Sequence, residues 1–260
     1  MAGDVCHILG GCAGSTKKES DLSAVLARGD IAIVGADLNR SVETIESYSD
    51  FLSETEQSRA REYVQDRDRI QFIQRRIVLR RLLGDILGRD PRRIVIRTDP
   101  SGKLFVAPDA QSRPLSFSMS HSRGRAIYAF AKQRQVGIDL EYRDPAIDVL
   151  KMAGVICTPA ERDRLKSLPV GDQLDAFYDC WCTKEAFIKA AGVREPPSFE
   201  VAFWPDQPAL VRDRGMPKDL RRWSFHRLNR GPDWAAMLVA EGDSGGFKVT
   251  EIAESRVPAL

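Results

Sequence analysis

The sequence predicts an α+β fold, and three observations carry that expectation. Short apolar segments with strand-like alternation recur along the chain: Ile31-Ala32-Ile33-Val34, Ile94-Val95-Ile96, Leu115–Ser120, Ala126–Ala131 and Val136–Glu141. Other stretches return apolar residues at helical spacing. The order is strand, helices, strands, then strand, helices, strands again, with no sequence repeat between the two runs. This order divides the chain near Gln133–Val136 into a unit over 29–134 and a unit over 135–260.

From the start, residues 1–28 mix Gly, Ser, Lys and Asp without periodicity, so a disordered or loosely attached leader is expected there. Ser53-Glu54-Thr55-Glu56 reads as a capping box, in which the Ser53 hydroxyl accepts the Glu56 N–H and the Glu56 carboxylate reaches back. A second helix is expected from about Asp68, with Ile70, Ile73, Ile77, Leu79, Leu82, Leu83 and Ile86 at helical spacing and Gly88 and Pro91 ending it. Asp99-Pro100-Ser101-Gly102 marks a turn, as does Ser120–Gly124 between two strands. Helices are expected over Asp148–Gly154, Pro159–Ser167 and Gln173–Ala191, and strands over Phe199–Trp204, Trp223–Leu228 and Trp234–Val239.

With 260 residues, 43% apolar and 29% charged, the composition is that of a soluble globular protein with a proper core. No apolar run approaches the roughly 20 residues that span a bilayer. The first residues lack the basic segment and apolar run of a secretory signal. Leu9-Gly10-Gly11-Cys12 faintly resembles a lipoprotein cleavage box, but the residues before it are too polar. Five scattered cysteines (Cys6, Cys12, Cys157, Cys180, Cys182) form no disulfide framework and fit a reducing cytoplasm. Cys180-Trp181-Cys182 has the wrong spacing for structural zinc. The net charge is only +2, yet arginines crowd the stretch from Arg59 to Arg97, including Arg75-Arg76 and Arg80-Arg81. A solvated helix face gives that pattern, and so does a site for phosphates or an acidic partner. No nucleic-acid motif accompanies it, so nucleic acid is not an expected partner.

Three segments carry chemistry. In Val136-Gly137-Ile138-Asp139-Leu140-Glu141, strand alternation puts Val136, Ile138 and Leu140 on one face and Asp139 and Glu141 on the other, about 7 Å apart at Cα. Two carboxylates so close repel unless a proton or cation intervenes, and their hard oxygens suit Mg2+. An exposed strand with two solvated acids satisfies the same pattern. In Phe177–Lys189, the residues Phe177, Trp181 and Ile188 form a helical apolar stripe, and Glu185 and Lys189 sit one turn apart on its shoulder. On spacing alone that pair is an ordinary helical ion pair. Ser120-His121-Ser122 brings hydroxyls and an imidazole to a strand-to-turn junction, without the Gly-x-Ser-x-Gly elbow of a hydrolase nucleophile.

Taken in order, Ser120-His121-Ser122, then Val136-Gly137-Ile138-Asp139-Leu140-Glu141, then Trp181-x-x-Lys184-Glu185-Ala186-x-x-Lys189 resemble the Sfp-type 4′-phosphopantetheinyl transferases. The likeness extends to Arg75–Leu83, Gly102-Lys103 and Trp234-Ala235-Ala236, and so covers most of the chain after about residue 30. The resemblance implies two α+β subdomains related by a pseudo-twofold axis, with the active site between them. It implies transfer of phosphopantetheine from coenzyme A to a serine of an apo carrier protein, releasing 3′,5′-ADP. Asp139, Glu141 and Glu185 would hold Mg2+ (or Mn2+), and Glu185 would help deprotonate the carrier serine. Lys189 would contact the pyrophosphate, and Lys103, Ser120, His121 and Arg76 would contact coenzyme A. The implied partners are coenzyme A and an acidic carrier domain met near Arg75–Arg81 or Arg194, and the implied state is a monomer away from membranes. A silent relative that binds coenzyme A or a carrier without transfer is the alternative, and the intact Asp139, Glu141, Glu185 and Lys189 speak against it. The chain departs from the family pattern at Leu104 (a proline elsewhere), Ser118 (commonly Asn), Gln71 (an arginine in many relatives) and Val193–Pro197. Arg69, Arg75 and Arg76 are the available substitutes at Gln71.

Overall fold

The computed structural model describes residues 22–38, 50–107, 115–193, 199–213 and 222–252. Its helices are α1 (Leu22–Ala27), α2 (Glu54–Arg61), α3 (Asp66–Leu87), α4 (Val149–Ile156), α5 (Pro159–Ser167) and α6 (Val170–Ala191). Its strands are β1 (Ile31–Asp37), β2 (Ile96–Thr98), β3 (Leu104–Val106), β4 (Leu115–Ser122), β5 (Arg125–Lys132), β6 (Val136–Tyr142), β7 (Phe199–Ala202), β8 (Ala209–Asp213), β9 (Trp223–Arg227), β10 (Trp234–Glu241) and β11 (Val249–Ile252). The fold is α+β, as the sequence predicts.

The two larger sheets and two long helices make four layers, with the two-stranded pairs β2-β3 and β7-β8 beside them. One sheet has the order β11-β1-β5-β4 and the other β6-β10-β9. Alternation buries both faces of each central strand. Ala32 and Val34 of β1 meet Val78, Leu79, Leu82 and Leu83 of α3. From the other face, Ile31 and Ile33 meet Val136, Ile138 and Leu140 of β6 and Leu238 of β10. The far face of the second sheet meets α6 through Phe177, Ala186, Phe187, Met237 and Val239. Each half thus contributes one 22-residue helix, ended by a left-handed glycine, Gly88 after α3 and Gly192 after α6.

Several details differ from expectation. The leader does not extend to residue 28: α1 buries Leu22, Val25 and Leu26, an i, i+3, i+4 set too short to stand out as a periodic run. Residues 1–21 lie outside the described set, as do Arg194 and residues 195–198. Ser120-His121-Ser122 is strand, because a two-residue turn at Arg123-Gly124 suffices; both residues have positive φ, at 40° and 78°, as a twist-matched hairpin requires. The strand β11 pairs in parallel with β1, so the end of the described chain joins the sheet of the first half.

The capping box at Ser53 forms, with the Glu56 N–H 3.3 Å from Ser53 Oγ and the Ser53 N–H 2.9 Å from Glu56 Oε2. The same carboxylate receives buried Arg80 at 2.8 Å, and Arg80 also donates to the carbonyls of Pro91 and Ile94. Arg80 therefore ties α3 to α2 and to the turn after Gly88, and is not an exposed docking arginine. Arg76 turns to the same carboxylate, at 4.0 Å, with its guanidinium over the Phe72 ring.

Candidate active site

The two sheets meet where their edge strands, β4 and β6, run side by side. On β6, Gly137, Asp139 and Glu141 face α6. Gly137 is the point of closest approach: a Cβ there would lie 2.0 Å from the Ala186 carbonyl oxygen and 2.4 Å from the Ala190 nitrogen. With no side chain in the way, α6 lies directly on the strand, Lys189 of α6 reaches Asp139 at the middle of β6, and Glu185 sits close enough to feel the Asp139 charge.

Asp139 is buried, and its Oδ1 accepts from Lys189 Nζ at 2.6 Å and from Ser120 Oγ at 2.8 Å. Lys189 Nζ also donates to Ser120 Oγ at 3.1 Å and to the Ile138 carbonyl at 3.3 Å. Burial alone would lower the Lys189 ammonium, but Asp139 foremost and then Glu185 outweigh it and raise it. Glu141 accepts from Ser122 Oγ at 3.0 Å. Burial, then the Asp139 charge, push the Glu141 carboxyl up to about 7. Glu185 is raised by the same two causes. Asp139 Oδ2 is buried without a hydrogen-bond partner among the described residues. With the Asp139 charge raising both Glu141 and Glu185, and with one Asp139 oxygen orphaned, the three carboxylates form a hard-oxygen donor set that fits a divalent cation such as Mg2+.

The other side of the cluster is built for anions. His121 on β4 touches the Arg75 guanidinium of α3 through its Nε2. Arginine can only donate, so a hydrogen bond between the two uses Nε2 as the acceptor and leaves Nδ1 free to carry the ring proton. Desolvation by neighbouring groups, then Arg75 and Lys189, hold His121 down at about 4, although the ring reaches solvent. Arg75 is itself fixed by the Tyr63 hydroxyl at 3.0 Å. Lys103 Nζ donates to Gln135 Oε1 at 2.9 Å and to the Val136 and Ala190 carbonyls at 3.4 Å; burial lowers it to about 8. Lys103 and Lys189 line one cavity of about 210 Å3, closed by Met119, Ile188 and Gly192.

The structure therefore brings together Asp139, Glu141, Glu185, Lys189, Ser120 and His121, with Lys103 at the far wall of the adjoining cavity. Arg76 stands apart at Glu56, and Arg75 is the arginine at His121. Two further polar residues take part without a sequence pattern that assigns them. Ser122, beside Glu141, lies two residues past the expected strand Leu115–Ser120, and continuing that alternation places it on the face of Ser120. Lys184 is buried against Glu161 at 2.9 Å and the Phe199 carbonyl at 3.1 Å, partners too distant in sequence to announce themselves.

Among the described residues no helix is long and apolar enough to cross a membrane. The 4′-phosphopantetheinyl transferase superfamily profile matches residues 135–239, the segment holding β6, α6 and β10. The 4′-phosphopantetheinyl transferase HetI of Nostoc is 33% identical over 62% of this chain and 69% of its own length. A putative 4′-phosphopantetheinyl transferase of Synechocystis, slr0495, is 31% identical over 57% of this chain and 60% of its own. The Sfp transferase of Bacillus subtilis is 31% identical over 58% of this chain and 65% of its own, so the matches span about two thirds of these relatives. On the match to HetI and the profile over β6 and α6, the chain belongs to the 4′-phosphopantetheinyl transferase superfamily.

Proposed function

We propose that this chain transfers the phosphopantetheine arm of coenzyme A to a serine hydroxyl of an apo carrier protein. One observation carries the reading: a carboxylate cluster of buried Asp139 with half-buried Glu141 and Glu185 adjoins a set of anion-binding donors, Lys189, Ser120, His121 and Arg75. Phosphoryl transfer asks of a protein mainly positioning and neutralisation of charge on phosphate oxygens. The serine oxygen forms a bond to the phosphorus that carries pantetheine, the bond from that phosphorus to the bridging pyrophosphate oxygen breaks, and 3′,5′-ADP leaves.

Asp139, Glu141 and Glu185 would hold Mg2+, which when bound supplies positive charge to the pyrophosphate and the leaving group. Lys189, already drawn to Asp139, adds a second positive charge at the same place. His121 Nδ1–H and Arg75 offer donors to the phosphates, and Lys103 reaches the nucleotide side across the cavity. The raised Glu185 carboxyl is suited to take the serine proton. An acidic carrier is the expected partner, and the free thiols of Cys157, Cys180 and Cys182 support a reducing, cytoplasmic setting.

The test is the mass of an apo carrier incubated with the chain, coenzyme A and Mg2+. The expected result is a gain of one phosphopantetheine group, lowered at least about 100-fold in rate by Glu185→Gln, the scale of a lost general base. Full-rate transfer by that variant would overturn the role given to Glu185.

A further inference from the structure

The strand β6 is an edge strand, and the side of its backbone turned away from β10 meets β4. An edge leaves backbone N–H and C=O groups that need partners once buried. Here no backbone ladder supplies them. The Val136 N–H is accepted by Ser116 Oγ at 3.3 Å, the Ile138 N–H by Ser118 Oγ at 3.1 Å, and the Tyr142 N–H by Ser122 Oγ at 3.2 Å. The carbonyls on the same edge go to ammonium groups, Val136 to Lys103 and Ile138 to Lys189. The four serines 116, 118, 120 and 122 alternate along β4 and stand at a constant offset of 20 residues from 136, 138, 140 and 142.

At two rungs a hydroxyl also serves the carboxylates. Ser120 donates to Asp139 Oδ1 at 2.8 Å, and Ser122 donates to Glu141 Oε2 at 3.0 Å while accepting from Tyr142. Ser122 thus uses one donor and one acceptor to fix both the carboxylate of Glu141 and the backbone beside it. We propose that Ser118 and Ser122 are positioning residues: a seam of serine hydroxyls sets the height of β6 against β4 and so holds the carboxylate pair in register with His121 and Ser120. The proposal rests on the transferase reading above, and it adds residues that act through the Glu141 carboxylate and the β6 backbone. Groups that hydrogen-bond metal-binding carboxylates typically matter to affinity by 10- to 100-fold, although they are not ligands.

The experiment titrates Mg2+ calorimetrically into the full chain saturated with coenzyme A, and separately measures the Mg2+ concentration for half-maximal transfer. Ser122→Ala is expected to weaken Mg2+ about tenfold in both readouts, with the KM for coenzyme A unchanged. Ser122→Thr, which keeps the hydroxyl, is expected to restore Mg2+ affinity. Ser118→Ala is expected to speed amide exchange at Ile138, and Ser118→Asn, which returns an acceptor, to slow it again. Unchanged Mg2+ affinity in Ser122→Ala, or equal weakening in Ser122→Thr, would overturn the proposal. A wild-type chain that binds Mg2+ but transfers nothing would overturn the transferase reading alone, because the calorimetric and exchange arms still decide the seam.

Discussion

Glu141 sits among charges that fix how the site answers to pH. Burial and Asp139 raise it to about 7, against about 4.3 for a free glutamate. Between those values the folded chain holds more protons than the unfolded one, so this group makes metal-free stability fall as pH rises through that window. A cation needs the ionised form. Mg2+ affinity should therefore climb with pH up to about 7 and level off above it, and Glu141→Gln should flatten the profile. Calorimetric titrations on either side of pH 7 check this, and an affinity indifferent to pH would contradict it. His121 behaves oppositely. Desolvation by the groups packed around it and the adjoining Arg75 charge hold this surface-reaching imidazole near 4, which favours its neutral form, and a phosphate arriving beside it would raise it. Coenzyme A binding should then take up protons, measurable by calorimetry in buffers of different ionisation enthalpy. Binding that releases protons or exchanges none would place the phosphates elsewhere.

At the scale of elements, the seat of α6 on β6 decides whether the carboxylates meet. Gly137→Ala would put a methyl into the Ala186 carbonyl and the Ala190 nitrogen, which are backbone and cannot swing aside. The variant should lose about 1–3 kcal/mol of stability. It should lose transfer by more than that implies, since any displacement of α6 separates Lys189 from Asp139. A thermal melt and a rate measurement check the pair, and a fully active Gly137→Ala chain would contradict this account of the glycine. The Lys184–Glu161 pair is the second fastening, between α5 and α6, with side chains 2% and 3% exposed. Glu161 also accepts the Val201 N–H at 2.8 Å and the Thr158 N–H at 2.8 Å. Lys184→Ala leaves that carboxylate buried without its cation and should cost about 3–5 kcal/mol by denaturant melting. A cost below about 1 kcal/mol would mean that solvent reaches the pair.

These elements also show what sequence could and could not reveal. The Asp139 and Glu141 face was legible because strand alternation is a local rule with a period of two. The long helices were legible because α3 and α6 repeat apolar residues over 22 positions and end at glycines. The need for glycine at 137 was not, since it arises from a helix about 50 residues further on. Nor was the burial of Lys184, whose counter-charge lies 23 residues away. The strand β11 has four residues, and its partner lies in the first half of the chain. The arginines between 75 and 81 look alike in sequence but divide by helical phase: Arg75 faces His121, while Arg76 and Arg80 face Glu56.

For the whole molecule, four layers leave one line where the edges of the two sheets come together, and the charged groups gather on that line. Each half brings a different kind of group to it. From the first come His121, Ser120, Arg75 and Lys103, which suit phosphate; from the second come Asp139, Glu141, Glu185 and Lys189, which suit a cation and its bound anion. The central claim is that these two sets act together on coenzyme A. The most direct measurement is phosphopantetheine incorporation into an apo carrier, followed by mass, with Mg2+ present or chelated, for the wild-type chain and for Asp139→Asn. Wild type with Mg2+ should incorporate the group, chelation should abolish incorporation, and the variant should be slowed at least about 100-fold. Incorporation that survives chelation, or an Asp139→Asn chain as fast as wild type, would contradict it.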